Sequence, residues 1–372
     1  MTLLRRAVLA VVLLSLWGSL SGLAAQPAAV PADSTLPDLD PEVRTGMLDN
    51  GLRYYVRANS EPADRLVLRL VVNAGSVLEG DDEEGVAHFL EHMLFNGTER
   101  FEEQELVDFL ERTGMQFGPD VNASTSFDET VYKLQIPTDS TGLVETGVDV
   151  LAEWAARATL RPEAIEDEKG VVISEYRSRY ESASGRMFFE TYPTLLGDAR
   201  YADRLPIGDT SDVRALTPDQ VRSFYETWYR PELMAVVAVG DADPERIEQL
   251  VRERFAGLTG PPDAAERPTY EVPGHDTTRY AVVTDPEFPV SVVRVHHKSD
   301  AQRLETVGDY RRELQTRLFL SVLNSRLGEK AREGTAPFLQ ASGSAGGLVR
   351  TEAQAVVAAQ VPDDSVTAGL AA

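Results

Sequence analysis

The stretch Gln135-Ile136-Pro137-Thr138-Asp139-Ser140 returns, at an offset of 225 residues, as Gln360-Val361-Pro362-Asp363-Asp364-Ser365. Both copies close an alternating, β-rich segment and open a helical pattern, and the elements before them run in the same order. A chain with such a repeat is constrained to fold as a duplicated domain. By the same offset Ala372 corresponds to Gly147, in the middle of a helical pattern of the first copy. The second copy is therefore expected to be incomplete.

Within the first copy, residues 51–59 and 65–76 read as strands separated by the polar Ser60-Glu61-Pro62-Ala63-Asp64. A helix covers residues 85–98, and a second helical pattern covers 102–114. Residues 126–137 alternate like a strand, and helical patterns follow at 143–157 and 163–182. Met234–Gly240 reads as a buried strand leading into a helix, with Asp243 placed as its cap and Pro244 as its first residue. Pro-rich residues 259–268 read as a linker. Beyond them, 280–297 is strand-like and 308–332 is a long helical pattern.

The N-terminus has the order of a secretory signal: Arg5 and Arg6, an apolar run from Ala7 to Trp17, then small residues ending at Ala24 and Ala25. Export is expected, to the periplasm or outside the cell, with no stable membrane span after signal cleavage. The chain has no cysteine, so it does without disulfides. Its formal net charge of −24 argues against a nucleic-acid partner.

The helix at 85–98 carries the chemistry. Val86, Phe89, Leu90, Met93 and Leu94 share one face, while His88, Glu91, His92 and Phe95 occupy the opposite one, and Asn96 and Gly97 end the helix. His88 and His92, one turn apart, are able to direct both imidazoles at one ion. Glu91 is close enough to reach a water on that ion. A catalytic zinc site needs a third protein ligand. Glu168 and Glu175 share a helix face but lie about 10 Å apart along the axis, so one straight helix cannot bring both to the same ion. One would be a ligand and the other would orient a histidine. Spacing alone leaves the choice open. His275, His296 and His297 read as structural or surface residues, since adjacent strand residues such as His296 and His297 point to opposite faces.

Taken together, residues 85–98, Gly118–Tyr132, Glu166–Arg177 and Phe224–Asp241 resemble the pitrilysin/insulinase family of zinc metallopeptidases, whose H-x-x-E-H inverts the H-E-x-x-H order of other zinc peptidases. The resemblance covers roughly residues 44–372. It implies an α/β fold, an α+β roll duplicated into two domains, each a mostly antiparallel sheet backed by helices. It implies Zn2+ held by His88, His92 and Glu175, with Glu91 as general base and Glu168 orienting a ligand. Asn122, Ala123 and Thr125 would lie on an edge strand that pairs with an extended peptide substrate. The expected division is a signal peptide at 1–25, a Pro-rich tether at 26–43, a zinc peptidase domain at 44–258, a linker at 259–275, and a second, non-catalytic domain at 276–372, cut short. That second copy has no H-x-x-E-H in its matching helix, Tyr310–Leu327.

Family members close two halves around the substrate, so a missing C-terminal half or a partner subunit is expected as well as a peptide. The implied activity is endopeptidase cleavage of unfolded peptides or small polypeptides. The alternatives are a non-catalytic peptide-binding or assembly subunit, an inactive fragment of such a peptidase, or a structural zinc site in which Glu91 has no role.

Overall fold

The computed structural model describes residues 32–372 apart from 103–105, 107–111 and 141. The expected signal peptide at 1–25, the first part of the tether and most of the helical stretch 102–114 lie outside the described residues. These residues fall into two compact units. One joins the segment up to Pro37 with Arg303–Gln315; the other comprises Asp38–Gln302 and Thr316–Ala372. In the smaller unit the carbonyls of Thr35 and Asp33 accept from the N–H groups of Val307 and Gly308, both at 2.8 Å.

The larger unit opens with strands β1 (Val43–Met47), β2 (Arg53–Ala58) and β3 (Arg65–Val72), then helix α1 (Val86–Met93), and strands β4 (Val121–Thr125) and β5 (Thr130–Pro137). Helices α2 (Leu143–Ala156), α3 (Pro162–Tyr180), α4 (Ala183–Leu196), α5 (Thr210–Ala215) and α6 (Pro218–Trp228) follow, then β6 (Met234–Gly240) and α7 (Pro244–Phe255). The strands form one sheet in the order β1-β2-β6-β3-β5-β4. Only the β2–β6 pair is parallel.

Period-two alternation explains the packing. Leu66, Leu68, Leu70 and Val72 of β3, with Tyr132, Leu134 and Ile136 of β5, are buried on the face that meets the helices. Helix α2 sits close because Gly147 has no side chain: a Cβ there would stand 2.8 Å from both Ile136 Cδ1 and Leu68 Cδ1. Asp243 caps α7 by accepting from the Glu245 N–H at 3.0 Å, with Pro244 as first residue, as the sequence indicates.

The repeat is visible in the strands. After the long connection come β7 (Ser291–Asp300), α8 (Val307–Glu333), β8 (Gln340–Val349), β9 (Glu352–Val361) and α9 (Val366–Ala371). The second sheet has the order β7-β9-β8, all antiparallel, and matches β3-β5-β4 of the first. Asn324 ties α8 to this sheet, exchanging hydrogen bonds with the backbone of Gly343 at 2.7 and 3.0 Å. Its buried cluster is small, namely Phe338, Ala359 and Val361.

Three expectations are corrected. The strand expected over 280–297 forms only from Ser291, and Tyr280 and Val282 are 87% and 86% exposed. In the first sheet the matching strand, β2, is held between β1 and β6, and no strand among the described residues pairs with 278–283. The segment expected as a linker, 259–275, packs closely: Arg267 donates to the Asn73 carbonyl at 2.8 Å and pairs with the buried Asp128 at 3.0 Å, and Val272 joins the main core. Asp128 also accepts from Tyr201 and, through its carbonyl, from Arg350 of the second sheet. Finally, β1 takes up Val43, the last tether residue, and α4 and α6 are helices to which the sequence reading assigned no element.

The two sheets differ in how much side chain they bury, which sets a test. Leu68→Ala should cost about 3 kcal/mol of stability in denaturant unfolding, whereas Leu318→Ala on the exposed face of α8 should change it by less than about 0.5 kcal/mol.

Candidate metal centre

Helix α1 is held at its start by Glu79. Gly85 adopts a left-handed conformation, φ +88°, and its N–H donates to one Glu79 carboxylate oxygen while the Ala87 N–H donates to the other, both at 2.9 Å. These are otherwise unpaired donors of the first helical turn. Glu79 is fully buried, which pushes its carboxyl well up, against the pull of the two N–H donors. Val86, Phe89, Leu90 and Met93 are almost completely buried, as the apolar stripe requires. The opposite face is largely covered as well. His88 and Glu91 are each only 8% exposed, because α3 and β4 cover them. The helix is also shorter than expected: it ends at Met93, and Phe95 and Asn96 continue as turns bonded to His92 and Met93.

Helix α3 brings both glutamates to α1, one at each end of a two-turn span. The Glu175 carboxylate oxygen Oε2 lies 3.2 Å from His92 Nε2 and 3.7 Å from His88 Nε2. The ligand atoms of His88, His92 and Glu175 all fall within 4.8 Å of one another. Ligands about 2.1 Å from a tetrahedral zinc stand about 3.4 Å apart, so this two-histidine, one-carboxylate set fits that ion with little rearrangement. Glu168 instead reaches the far side of the same imidazole: Oε1 lies 2.8 Å from His92 Nδ1, and Oε2 accepts from Asn96 Nδ2 at 2.7 Å. Geometry thus separates two residues that spacing left equivalent. His88 Nδ1 finds no partner among the described residues.

The charges follow this geometry. Burial and the neighbouring His92 push His88 down to about 4. Burial opposes the charging of His92 too, but Glu168 and Glu175 outweigh it and raise His92 to about 9. The hydrogen bond to His92, with further help from His88 and Arg179, lowers Glu175 to about 2. Without metal, one proton therefore resides on His92, between two carboxylates. Burial raises Glu91, partly offset by a hydrogen bond from Thr125. Arg179, 2.9 Å from the other Glu175 oxygen, completes the pairing at the mouth of the site.

The three residues expected on an edge strand all lie on β4, whose one strand neighbour among the described residues is β5. They do not act alike. The Thr125 hydroxyl donates to Glu91 Oε2 at 2.5 Å. Asn122 is exposed, and its own side chain accepts the Ala123 N–H at 2.9 Å. Ala123 packs against the core. Sequence reasoning missed the side-chain role of Thr125, the grip of Asn96 on Glu168 and the anchoring by Glu79. Asn96 had a signal, since it lies four residues after His92 on the same helical side. His275 and His296 stand apart, bonded to the Thr277 carbonyl and the Gln354 side chain.

Known proteins are similar to this chain in sequence and fold. The family described as Insulinase (Peptidase family M16) matches residues 54–192, and the one described as Peptidase M16 inactive domain matches 215–351. The chain is 39% identical to the zinc protease PQQL-like of Arabidopsis thaliana over 82% of its own length and 32% of that protein's. It is 33% identical to the probable zinc protease PqqL of Escherichia coli, again over 82% of this chain and 32% of the relative. The chain thus spans about a third of the length of these relatives. The first half of the periplasmic protease PqqL from Escherichia coli superposes with a TM-score of 0.81 at 29% identity, covering 90% of this chain and 71% of that one. Pitrilysin shares the fold, with a TM-score of 0.68 at 21% identity over 92% of this chain and 36% of that one.

Two outcomes follow from the geometry. Glu168→Ala should weaken zinc binding about 10- to 100-fold in chelator competition, and Glu168→Gln less, since the amide oxygen still accepts from His92. In the metal-free chain, the His92 signal should titrate near pH 9 by NMR and the His88 signal near pH 4. His92, raised from 6.5, stabilises the fold fully below pH 6.5 and loses that contribution as pH rises through about 9; Glu175, lowered from 4.5, contributes fully above pH 4.5 and loses it as pH falls toward 2.

Proposed function

This chain belongs to the insulinase (M16) family of zinc peptidases, and we propose that it is the catalytic part of an exported zinc metalloendopeptidase. The observation that carries the reading is the convergence of His88 Nε2, His92 Nε2 and the Glu175 carboxylate, with Glu91 fixed beside them. In this proposal those three residues hold the zinc ion, and Glu168 keeps His92 in the tautomer that offers Nε2 to it. When bound, zinc supplies a Lewis acid that activates a water and polarises the scissile carbonyl. Glu91 takes the proton from the attacking water and passes it to the leaving amine. Its raised pKa suits both halves of that exchange, and Thr125 holds one of its oxygens.

The substrate is an unfolded peptide or small polypeptide, bound extended along β4, where backbone pairing makes side-chain selection loose. The chain spans about a third of the relatives' length, so full activity is assigned to this chain together with a further region or a partner subunit. The boundaries 44–258 for the peptidase domain and 276–372 for the second domain are part of the proposal, supported by the shared strand order of the two sheets. So is export directed by residues 1–25. Its support is the Arg5-Arg6 and apolar-run pattern, together with the likeness to an Escherichia coli protease that is periplasmic. No helix among the described residues is long and apolar enough to cross a membrane.

The test is cleavage of an unstructured, internally quenched peptide by the purified, zinc-loaded chain. Chelator-sensitive cleavage that falls at least about 100-fold in Glu91→Gln, with zinc content unchanged, is the expected result. Equal cleavage by Glu91→Gln would make the zinc structural. A zinc-loaded, folded chain that binds the peptide without cutting it would favour a binding or assembly subunit.

A further inference from the structure

The ladder between β4 and β5 fixes which backbone groups of β4 remain available. The Ser126 N–H donates to the Glu129 carbonyl at 2.8 Å, and the Gln135 N–H to the Asp120 carbonyl at 2.7 Å. In an antiparallel pair the bonded residues alternate, so Asn122 and Ser124 exchange bonds with Lys133 and Val131 across the register. Ala123 and Thr125 then direct their N–H and C=O groups to the other edge, where no strand pairs with β4 among the described residues. The Ala123 N–H agrees with this phase, since it is bonded to the Asn122 side chain rather than to β5. Side chains alternate as well: Val121, Ala123 and Thr125 face the helices, while Asn122 and Ser124 are exposed.

Thr125 is thus the residue of β4 that combines both directions. Its backbone lies on the open edge, and its hydroxyl donates to Glu91 Oε2 at 2.5 Å. We propose that Thr125 is a positioning residue, which holds the Glu91 carboxylate in fixed register with a peptide paired along the open edge of β4. The inference rests on the reading of Glu91 as general base. A glutamate on a helix face has three side-chain torsions to fix before its oxygen meets the attacking water. The Thr125 bond removes that freedom, and it does so from the strand that carries the substrate. Displacement of the strand and displacement of the base are therefore the same movement. The Asn122 side chain caps the Ala123 N–H, so a peptide adding to the edge at that residue displaces a local bond.

Thr125→Val keeps the branched shape and removes the donor, while Thr125→Ser keeps the donor. In structures of the zinc-loaded chain, Glu91 should leave its position by more than about 0.5 Å in Thr125→Val and stay within it in Thr125→Ser. With the quenched peptide, Thr125→Val should lower kcat about 10- to 100-fold with KM nearly unchanged, Thr125→Ser should restore most of it, and Thr125→Val should add nothing in the Glu91→Gln background. An undisplaced Glu91 in Thr125→Val, or a serine variant as impaired as the valine one, overturns the inference. The reading of Glu91 as base fails separately, through an active Glu91→Gln, and the position of Glu91 decides the role of Thr125 in either case.

Discussion

Burial of a polar helix face is the constraint on which the rest of this structure depends. Helix α1 buries its apolar stripe in the core, yet His88 and Glu91 on the opposite side are nearly as inaccessible. Polar groups taken from water need partners, or they cost about 1–3 kcal/mol each. The surrounding elements supply most of them: Thr125 from β4 for Glu91, Glu175 from α3 for both imidazoles, and Glu168 from α3 for the far nitrogen of His92. Asn96, just past the end of α1, holds Glu168 in turn. His88 Nδ1 has no partner among the described residues, while Glu91, His92 and Glu168 are each held by a residue from another element. This is the condition under which ligand geometry is preorganised.

The sheet and its helices serve that network. Close packing of α2 on β3 and β5, permitted by Gly147, gives the sheet a rigid back. β4 extends from β5 at its edge, so the position of Thr125 is set by the same ladder that sets the core. The turn that follows Thr125 is fixed as well, because Asp128 there receives Tyr201, Arg267 and, at its carbonyl, Arg350. The connecting segment and the second sheet therefore brace the hairpin that ends at the site. Among the described residues the second domain offers no such group: at the offset of 225 its long helix α8 reads Glu-Leu-Gln-Thr-Arg where the first-domain helix reads His-Phe-Leu-Glu-His.

Much of the fold was legible because its signals are local. Strand-like composition placed β2, β3 and β6, alternation placed β5, the Asp243–Pro244 pair placed the start of α7, and the QIPTDS repeat announced a duplicated domain, seen as two sheets with one strand order. The failures have separate causes. Residues 280–290 have strand-like composition but no strand beside them, and a strand is stable only when its ladder is satisfied. α4 and α6 were passed over, although α6 carries Val221, Phe224, Tyr225 and Trp228 at helical spacing behind the Thr217–Gln220 capping box. Proline and charge made 259–275 look like a free linker, although Arg267 and Val272 bind it to the first domain.

The sequence alone determined the chemistry available. Two histidines a helical turn apart, a glutamate beside them and two more glutamates on a later helix follow from local spacing, since helical periodicity fixes which side chains share a face. Only the tertiary structure decided how they are used. His92 and Glu168 are 76 positions apart, and Thr125 and Glu91 are 34 apart. No periodicity spans those distances. Which glutamate meets both imidazoles, which one grips a single ring, and which strand residue holds Glu91 depend on where α3 and β4 cross α1. That crossing is set by the packing of the whole sheet.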